Sequence, residues 1–380
     1  MKIVRFIFLR IAPALLGVIL IGLMIVKVLY GTGEVYPDIG AENIASGGKL
    51  EKVITLPYPP GNLAVGQNGH VYFNYHPLTR PTRFSNATLF EWYNGQITPF
   101  PSLEFQKQFQ GSFGLTIDKQ NRLWIIEPAT FDFKHTRIWA FDLTTKEVAY
   151  SYEFPEGVAQ NAEEIRVTGD GKYVLLPNPG IFHFTASQLL VFSVDDHSVR
   201  TVIDGDPSVQ PENWSLQTTD GKPYRLMYGL LDFAVGIDGI EISDDQQWLY
   251  IASMTSSHLY RVPLSDVLNK DFTPDQVAKK IETISMKPMS DGITIDKSGH
   301  VIITDVEHGG LVSFDPVTKE LKTLARSKEI LWADGVATAP DSSLYFTDSS
   351  IPSYVGEFAL APDPQLLLNN KPYYIYRLKH

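Results

Sequence analysis

Residues Ser290 to Asp305 read SDGITIDKSGHVIITD. A polar Asp291-Gly292 pair leads into an alternating apolar run with Ile293 and Ile295 inward. A turn follows at Asp296-Lys297-Ser298-Gly299, then a second apolar run, Val301 to Ile303, which ends on Thr304-Asp305. Alternation with period two, broken by a Gly-containing turn, predicts a β-hairpin. The chain repeats it. Related copies are GNLAVGQNGHVYFN from Gly61, FGLTIDKQNRLWIIE from Phe113, EEIRVTGDGKYVLLPN from Glu163, DGIEISDDQQWLYIAS from Asp238 and DGVATAPDSSLYFTD from Asp334. Successive copies start roughly 50 residues apart, with one longer step between Glu163 and Asp238, and short strands at that period are the mark of a β-propeller with one four-stranded blade per repeat. Six copies therefore predict an all-β, six-bladed β-propeller. A β-sandwich also contains short alternating strands, but it does not require six hairpins with one turn chemistry.

The outer strands of the blades are legible as well. Thr88 to Tyr93 with Gln96 to Phe100, Thr136 to Asp142 with Val148 to Phe154, Leu189 to Val194 with Val199 to Ile203, and Leu311 to Asp315 with Leu321 to Leu324 are split by turns such as Asn94-Gly95. A propeller has to close its ring, because an open blade leaves bare sheet edges. Glu51 to Leu56 and the tail Pro372 to Leu378 are the spare strands, and both are assigned to the last blade. Two insertions interrupt the period. Gly205 to Gly236, with Trp214, Tyr224, Tyr228 and Phe233, reads either as a lid or as a strand pair on the rim. In Pro263 to Ile284, Thr273-Pro274-Asp275-Gln276 has capping-box spacing and predicts a short helix to about Ile281.

Residues 1–30 read as a signal anchor. Lys2, Arg5 and Arg10 precede Ile11 to Tyr30, whose one charge is Lys27. About 20 apolar residues suffice to cross a bilayer, and flanking basic residues stay on the cytoplasmic side. Residues 31–50, polar and Gly-rich, read as a linker, and 51–380 as the propeller. The expected location is a bacterial inner membrane, single-pass, with the propeller on the periplasmic side. A cleaved signal peptide and a secreted propeller form the alternative. Apolar residues make up 44% of the 380 and charged residues 20%, which is a folded composition. The net charge of -11, without clustered Lys and Arg, excludes nucleic acid as a partner. With no cysteine there is no disulfide, thiolate metal site or thiol nucleophile.

In a propeller the first strand of each blade lines the central channel and the second runs back beside it. The residues that begin the first strands form an inner ring of Gly61, Phe113, Glu163, Asp238, Asp291 and Asp334. Those that end the second strands form a flanking ring of Asn74, Glu127, Asn178, Ser253, Asp305 and Asp348. Four carboxylates around one axis repel each other, and a hard divalent cation answers that repulsion. Ca²⁺, which takes six to eight oxygens, is the expected cofactor, on Glu163, Asp238, Asp291 and Asp334. Glu127, Asn178, Ser253, Asp305 and Asp348 are then expected to face a small-molecule ligand or substrate at the same mouth. The competing reading is that Asp-Gly merely starts a strand, its carboxylate bonded to backbone N–H groups. His308, just after the second strand of blade five, is the candidate base beside Asp291; His183 has a weaker claim. No G-x-S-x-G, Walker A or H-E-x-x-H motif occurs.

The blade-five segment SDGITIDKSGHVIITDVEHGGL, with Asp238 to Tyr250 and Leu331 to Asp348, resembles bacterial members of the Yellow and major royal jelly protein family, often described as dopachrome-tautomerase-related. The likeness runs from about Leu50 to Leu378. It implies a six-bladed propeller, usually secreted, some members of which bind small amines or other aromatic ligands in the channel. More distantly, the Asp-Gly blades are similar to the gluconolactonase and senescence-marker family, whose axial residues hold a divalent cation and open a lactone. That similarity implies a metal ligand and proposed base at Asp291, with Asp238 and Glu163 at axial Asn positions. Gly61-Asn62 departs from it where a metal-binding Glu is expected. Glu163-Glu164 departs from the Asn-Asp of the Yellow-like proteins. The sequence therefore leaves two functions open, a metal-dependent lactone or ester hydrolase and a non-catalytic binder of amines or aromatic ligands; a third use is as a protein docking platform.

Overall fold

The computed structural model describes residues 12–40, 49–81, 85–129, 134–356 and 361–379. The basic residues Lys2, Arg5 and Arg10, and the Ser46-Gly47-Gly48 stretch, lie outside them. Six four-stranded antiparallel sheets follow one another along the chain, each opening with one of the six hairpins. In blade five the strands are Ile293–Ile295, Val301–Asp305, Gly310–Phe314 and Leu321–Arg326. Sequence and structure agree on the reason the hairpins recur. In every blade a side-chain carboxylate or amide in the first turn accepts the backbone N–H two residues on: Asn68, Asp118, Asp170, Asp245, Asp296 and Asp341. Each turn is thus closed by its own residues.

The second strand of a blade is buried on both faces, as in Val71–Tyr75, Val301–Asp305 and Leu344–Asp348. The fourth is largely exposed, as in Gln96–Pro99 and Glu282–Met286. Apolar slabs fill the spaces between neighbouring sheets; between blades two and three, for example, Trp124, Ile126 and Ile138 meet Val174, Leu176 and Phe192. The last sheet closes the ring as expected. Its order is Ala333–Thr338, Leu344–Asp348, Tyr373–Lys379 and finally Lys49–Leu56, so the N-terminal strand supplies the outer edge.

The insertion between Gly205 and Gly236 carries a two-stranded hairpin, Arg225–Leu226 with Leu231–Asp232. It also packs aromatic rings inward: Tyr224 and Phe233 both lie edge-on to Trp332 with centroids 5.7 Å apart. The expected helix is present at Pro274–Ala278 with Thr273 and Gln276 forming the capping box, and it ends before Ile281. An apolar helix spans Ala12–Tyr30, 19 residues with mean hydropathy 2.5 and none of them buried, long enough to cross a membrane. The residues after it, expected as a free tether, lie on the propeller as far as Gly40. Glu34 bridges to Trp214, Tyr36 is buried against the same indole, and Asp38 receives two hydrogen bonds from Arg326 at 2.7 and 2.6 Å.

Candidate functional site in the central channel

All six inner-ring residues line one cavity of about 260 Å³ at the mouth where the first strands begin. The Asp-Gly pairs explain how they get there. A Cβ on Gly239 would stand 2.7 Å from the carbonyl oxygen of Asp291, and one on Gly292 would stand 2.8 Å from that of Asp334. Glycine lets adjacent first strands close on the axis, and its N–H is used as well: Gly292 N donates to Asp334 O at 3.2 Å and Gly114 N to Glu163 O at 2.8 Å. Backbone groups thereby join the blades, and the acid side chains are left facing the cavity.

Five carboxyl groups line this space, because Glu164 joins the four expected ones, together with Asn62 and His76. Above them the wall is apolar, with Phe113, Phe182, Phe233, Met254 and Trp332. Trp332 Nε1 donates to Asp291 Oδ2 at 2.7 Å, and Asp291 N donates to Thr304 Oγ1 at 2.9 Å, which fixes that side chain. The charge of Asp291 adds to the cost of ionising Asp238. Asn62 Nδ2 donates to Glu164 Oε1. His76 Nε2 lies 3.8 Å from Asp334 Oδ2.

Desolvation pushes these acids toward their neutral forms, and mutual repulsion adds to it. Glu163 is raised to about 8 by burial and by the charges of Asp291 and Glu164. Burial takes Glu164 to about 7 against the pull of Arg166. Asp291 is raised to about 6 by burial, with the Trp332 and Asp238 hydrogen bonds acting the other way. Asp238 and Asp334 are raised well above the ordinary range, by burial first and then by the neighbouring acids. The native state therefore holds protons that the unfolded chain has already released. That stabilisation is present below the ordinary carboxylate range and is lost as the pH climbs through about 6 to 8. In metal-free buffer the melting temperature is expected to fall by roughly 5 °C or more between pH 5 and pH 9. Differential scanning fluorimetry reads this directly, and Glu163→Gln should flatten the slope.

Arg166 closes the floor. Its Nη1 donates to Glu164 Oε2 at 2.9 Å and its Nε to Glu241 Oε2 at 2.9 Å; Nη1 and Nη2 also reach the carbonyls of Ile165 and Ile293. Glu241 and Arg166 belong to a second cavity of about 500 Å³ at the opposite mouth, so this ion-paired triad is a septum across the channel.

The flanking ring lies elsewhere. None of Glu127, Asn178, Ser253, Asp305 and Asp348 lines the cavity, and each is engaged by the loops of that mouth. The Glu127 carboxylate accepts from Gln110 N, Gly111 N, Arg137 and Trp139 Nε1. Asp348 accepts from the backbone of Trp332 and Ser350, Asn178 from Gly180 N, and Ser253 Oγ donates to Ser208 O. Asp305 takes Arg326 Nη2 at 2.8 Å and His308 Nδ1 at 2.9 Å. His308 is thus held beside Asp305, with Asp38 3.5 Å from its Nε2, and does not line the cavity of Asp291. Burial opposes its protonation, but the Asp305 hydrogen bond and charge outweigh this and raise its pKa. His183 stacks on Tyr30 at the end of the apolar helix.

Carboxyl oxygens facing one space are the donor type that a hard cation takes. As they stand, no three His, Asp or Glu side chains among the described residues are grouped so that they could hold a metal ion. His76, Arg166 and Trp332 were not expected here from the sequence, and Asn62 and Glu164 were noted only as departures from family patterns. Both carried a signal, a polar residue standing where Gly114, Gly239, Gly292 and Gly335 stand in the other blades.

Comparison with known proteins places the chain. Major royal jelly protein 1 of Apis mellifera is 23% identical over 259 residues, 62% of this chain and 57% of that protein, so the match spans little more than half of the relative's length. A gluconolactonase from Xanthomonas campestris shares the fold at TM-score 0.55 and 12% identity, over 90% of this chain and 97% of its own. Regucalcin from Agrobacterium tumefaciens, a calcium-binding protein, gives 0.53 and 14%, over 86% and 93%. At these identities the two structures speak to fold alone. The sequence pattern of the family described as Major royal jelly protein matches residues 110–360, from the approach to blade two into blade six, and the chain belongs to that family.

Proposed function

We propose that this is an exported, membrane-anchored propeller whose channel cavity binds a small molecule by way of positive charge, with a divalent cation on the axial acids as the first reading. The observation that carries it is the charge imbalance: Glu163, Glu164, Asp238, Asp291 and Asp334 face one buried space, and of these Arg166 pairs with Glu164. An occupant that supplies positive charge removes the cost of ionising those acids. Glu163, Asp238, Asp291 and Asp334 would hold the ion, which when bound polarises a carbonyl and acidifies water. The protein's own groups do the rest. The aromatic wall seats the apolar part of the molecule, and Asp291, fixed by Trp332, is the group placed to accept a proton in lactone or ester hydrolysis. The calcium-binding propeller that shares the fold supports the ion, and the gluconolactonase supports the reaction class.

A second reading, a non-catalytic binder of an aromatic amine, draws on the lack of a three-ligand cage among the described residues. A protonated amine would pair with the acids and its ring would stack in the wall. Thermal titration separates the two. With a metal-free preparation at pH 7, Ca²⁺ at about 100 times its dissociation constant should add about 2.7 kcal/mol of stability. Asp291→Asn should remove any turnover of a lactone panel. If Ca²⁺, Mg²⁺ and Mn²⁺ leave the melting temperature unchanged while phenethylamine raises it, the amine reading replaces the first.

A further inference from the structure

The apolar helix and the acid-floored cavity meet at one rim. Beyond Tyr30 the chain has no slack: Lys27 Nζ reaches back over the end of the helix to Gly31 O and across to Gly229 O of the insertion, both at 2.5 Å. A Cβ on Gly31 would collide with Leu230 O at 2.2 Å, and one on Gly33 with the Asn213–Ser215 backbone at 2.8 Å. Gly33 N donates to Asp232 Oδ2 at 2.8 Å. The helix is therefore mounted on the insertion hairpin without a flexible joint. On its other side Tyr30 stacks on His183, with centroids 5.2 Å apart and planes at 15°, and meets Phe184 edge-on at 5.5 Å. The loop that carries His183 and Phe184 is the one whose Pro179 to Phe182 line the cavity.

The surface around this junction is apolar and exposed: Ile181 is 49% accessible, Phe184 52%, Met227 44% and Tyr228 77%. Nineteen helical residues extend about 28 Å, close to the hydrocarbon thickness of a bilayer, which puts Tyr30 at the headgroup level and the rim beside it. Apolar and aromatic side chains at that depth are what an interfacial surface needs.

Resting on the membrane-anchored reading, we infer that the mouth of the cavity lies against the bilayer surface and draws its occupant from it, an amphiphile whose positive head reaches the acids and whose apolar body leaves past Phe182 and Ile181 into lipid. The direction of the cavity follows from its lining, with carboxyls at the septum end and the apolar wall toward the rim.

The chain lacks cysteine, so single cysteines can be placed at will. Full-length Phe184→Cys, Tyr228→Cys, Ile21→Cys and Val317→Cys proteins, each carrying an environment-sensitive fluorophore, are reconstituted into phosphatidylcholine nanodiscs with and without a lipid-borne quencher. Val317, 87% exposed, lies in the turn after Gly310–Phe314 on the far face. Quenching is expected at Ile21, Phe184 and Tyr228 and not at Val317. Quenching at Ile21 without quenching at Phe184 and Tyr228 overturns the inference and leaves the anchor standing; none at Ile21 overturns the anchor itself. In the same nanodiscs, tryptophan fluorescence should respond saturably to dodecylamine at a concentration at least about tenfold below that needed for propylamine, and Asp334→Asn should abolish the response. Equal response to both amines would mean that the cavity is filled from water, which overturns the bilayer route but not amine binding.

Discussion

Removing residues 373–380 is expected to abolish folding of the whole propeller. Tyr373–Lys379 is an inner strand of the closing sheet, hydrogen-bonded to Leu344–Asp348 on one side and to Lys49–Leu56 on the other. Its loss therefore strands the N-terminal strand as well and bares two edges. Tyr373, Ile375, Tyr376 and Leu378 are all buried, and they pack in two different slabs of the core. Four large side chains at about 2 to 4 kcal/mol each exceed the usual 5 to 15 kcal/mol margin once the broken pairing is added. The truncated chain should lack a cooperative thermal transition and accumulate as aggregate. A soluble protein that still melts cooperatively within a few degrees of the full-length chain would show that ring closure is dispensable.

Arg166→Met should cost about 3 to 5 kcal/mol, seen as a drop of roughly 10 °C in melting temperature. The guanidinium sits between Glu164 and Glu241, all three deep in the channel, so its removal leaves two buried carboxylates without a counter-charge. The loss should grow with pH, because Glu164 is already held near 7 by burial even with Arg166 beside it. Adding Glu164→Gln and Glu241→Gln to Arg166→Met removes the orphaned charge and should recover most of the stability. Failure of that rescue would mean that Arg166 acts by packing rather than by charge.

The ring of hairpins was legible because it is local. Each turn is closed by a side chain within the same few residues, from Asn68 to Asp341, and alternation carried the strands on either side. The axial acids were legible for the same reason, since a strand start is a sequence position. Their surroundings were not. Trp332 comes from the crossover before blade six, Phe182 from the loop between the second and third strands of blade three, and Arg166 is held at the floor between Glu164 and Glu241, which lies in the next blade. The flanking residues sat at the expected strand ends, but the first strand lies against the residue before them. Thr304 and Thr347 hold the backbone of Asp291 and Gly335, whereas Asp305 and Asp348 turn to the loops. Over Gly31 to Gly40 the chain rests on the propeller, because polar and Gly-rich composition leaves a segment hanging only if nothing is there to receive it. Here glycine is what lets the backbone approach Leu230 and Trp214.

The six self-closing turns all stand at the far mouth, while every crossover between blades and the 205–236 insertion stand at the near one. Copying a blade therefore copies the turn and the axial position but brings none of the crossover that shapes the cavity. The far mouth is therefore built six times over from one local rule, whereas the cavity wall is built once, from Trp332, Phe182 and the 205–236 insertion.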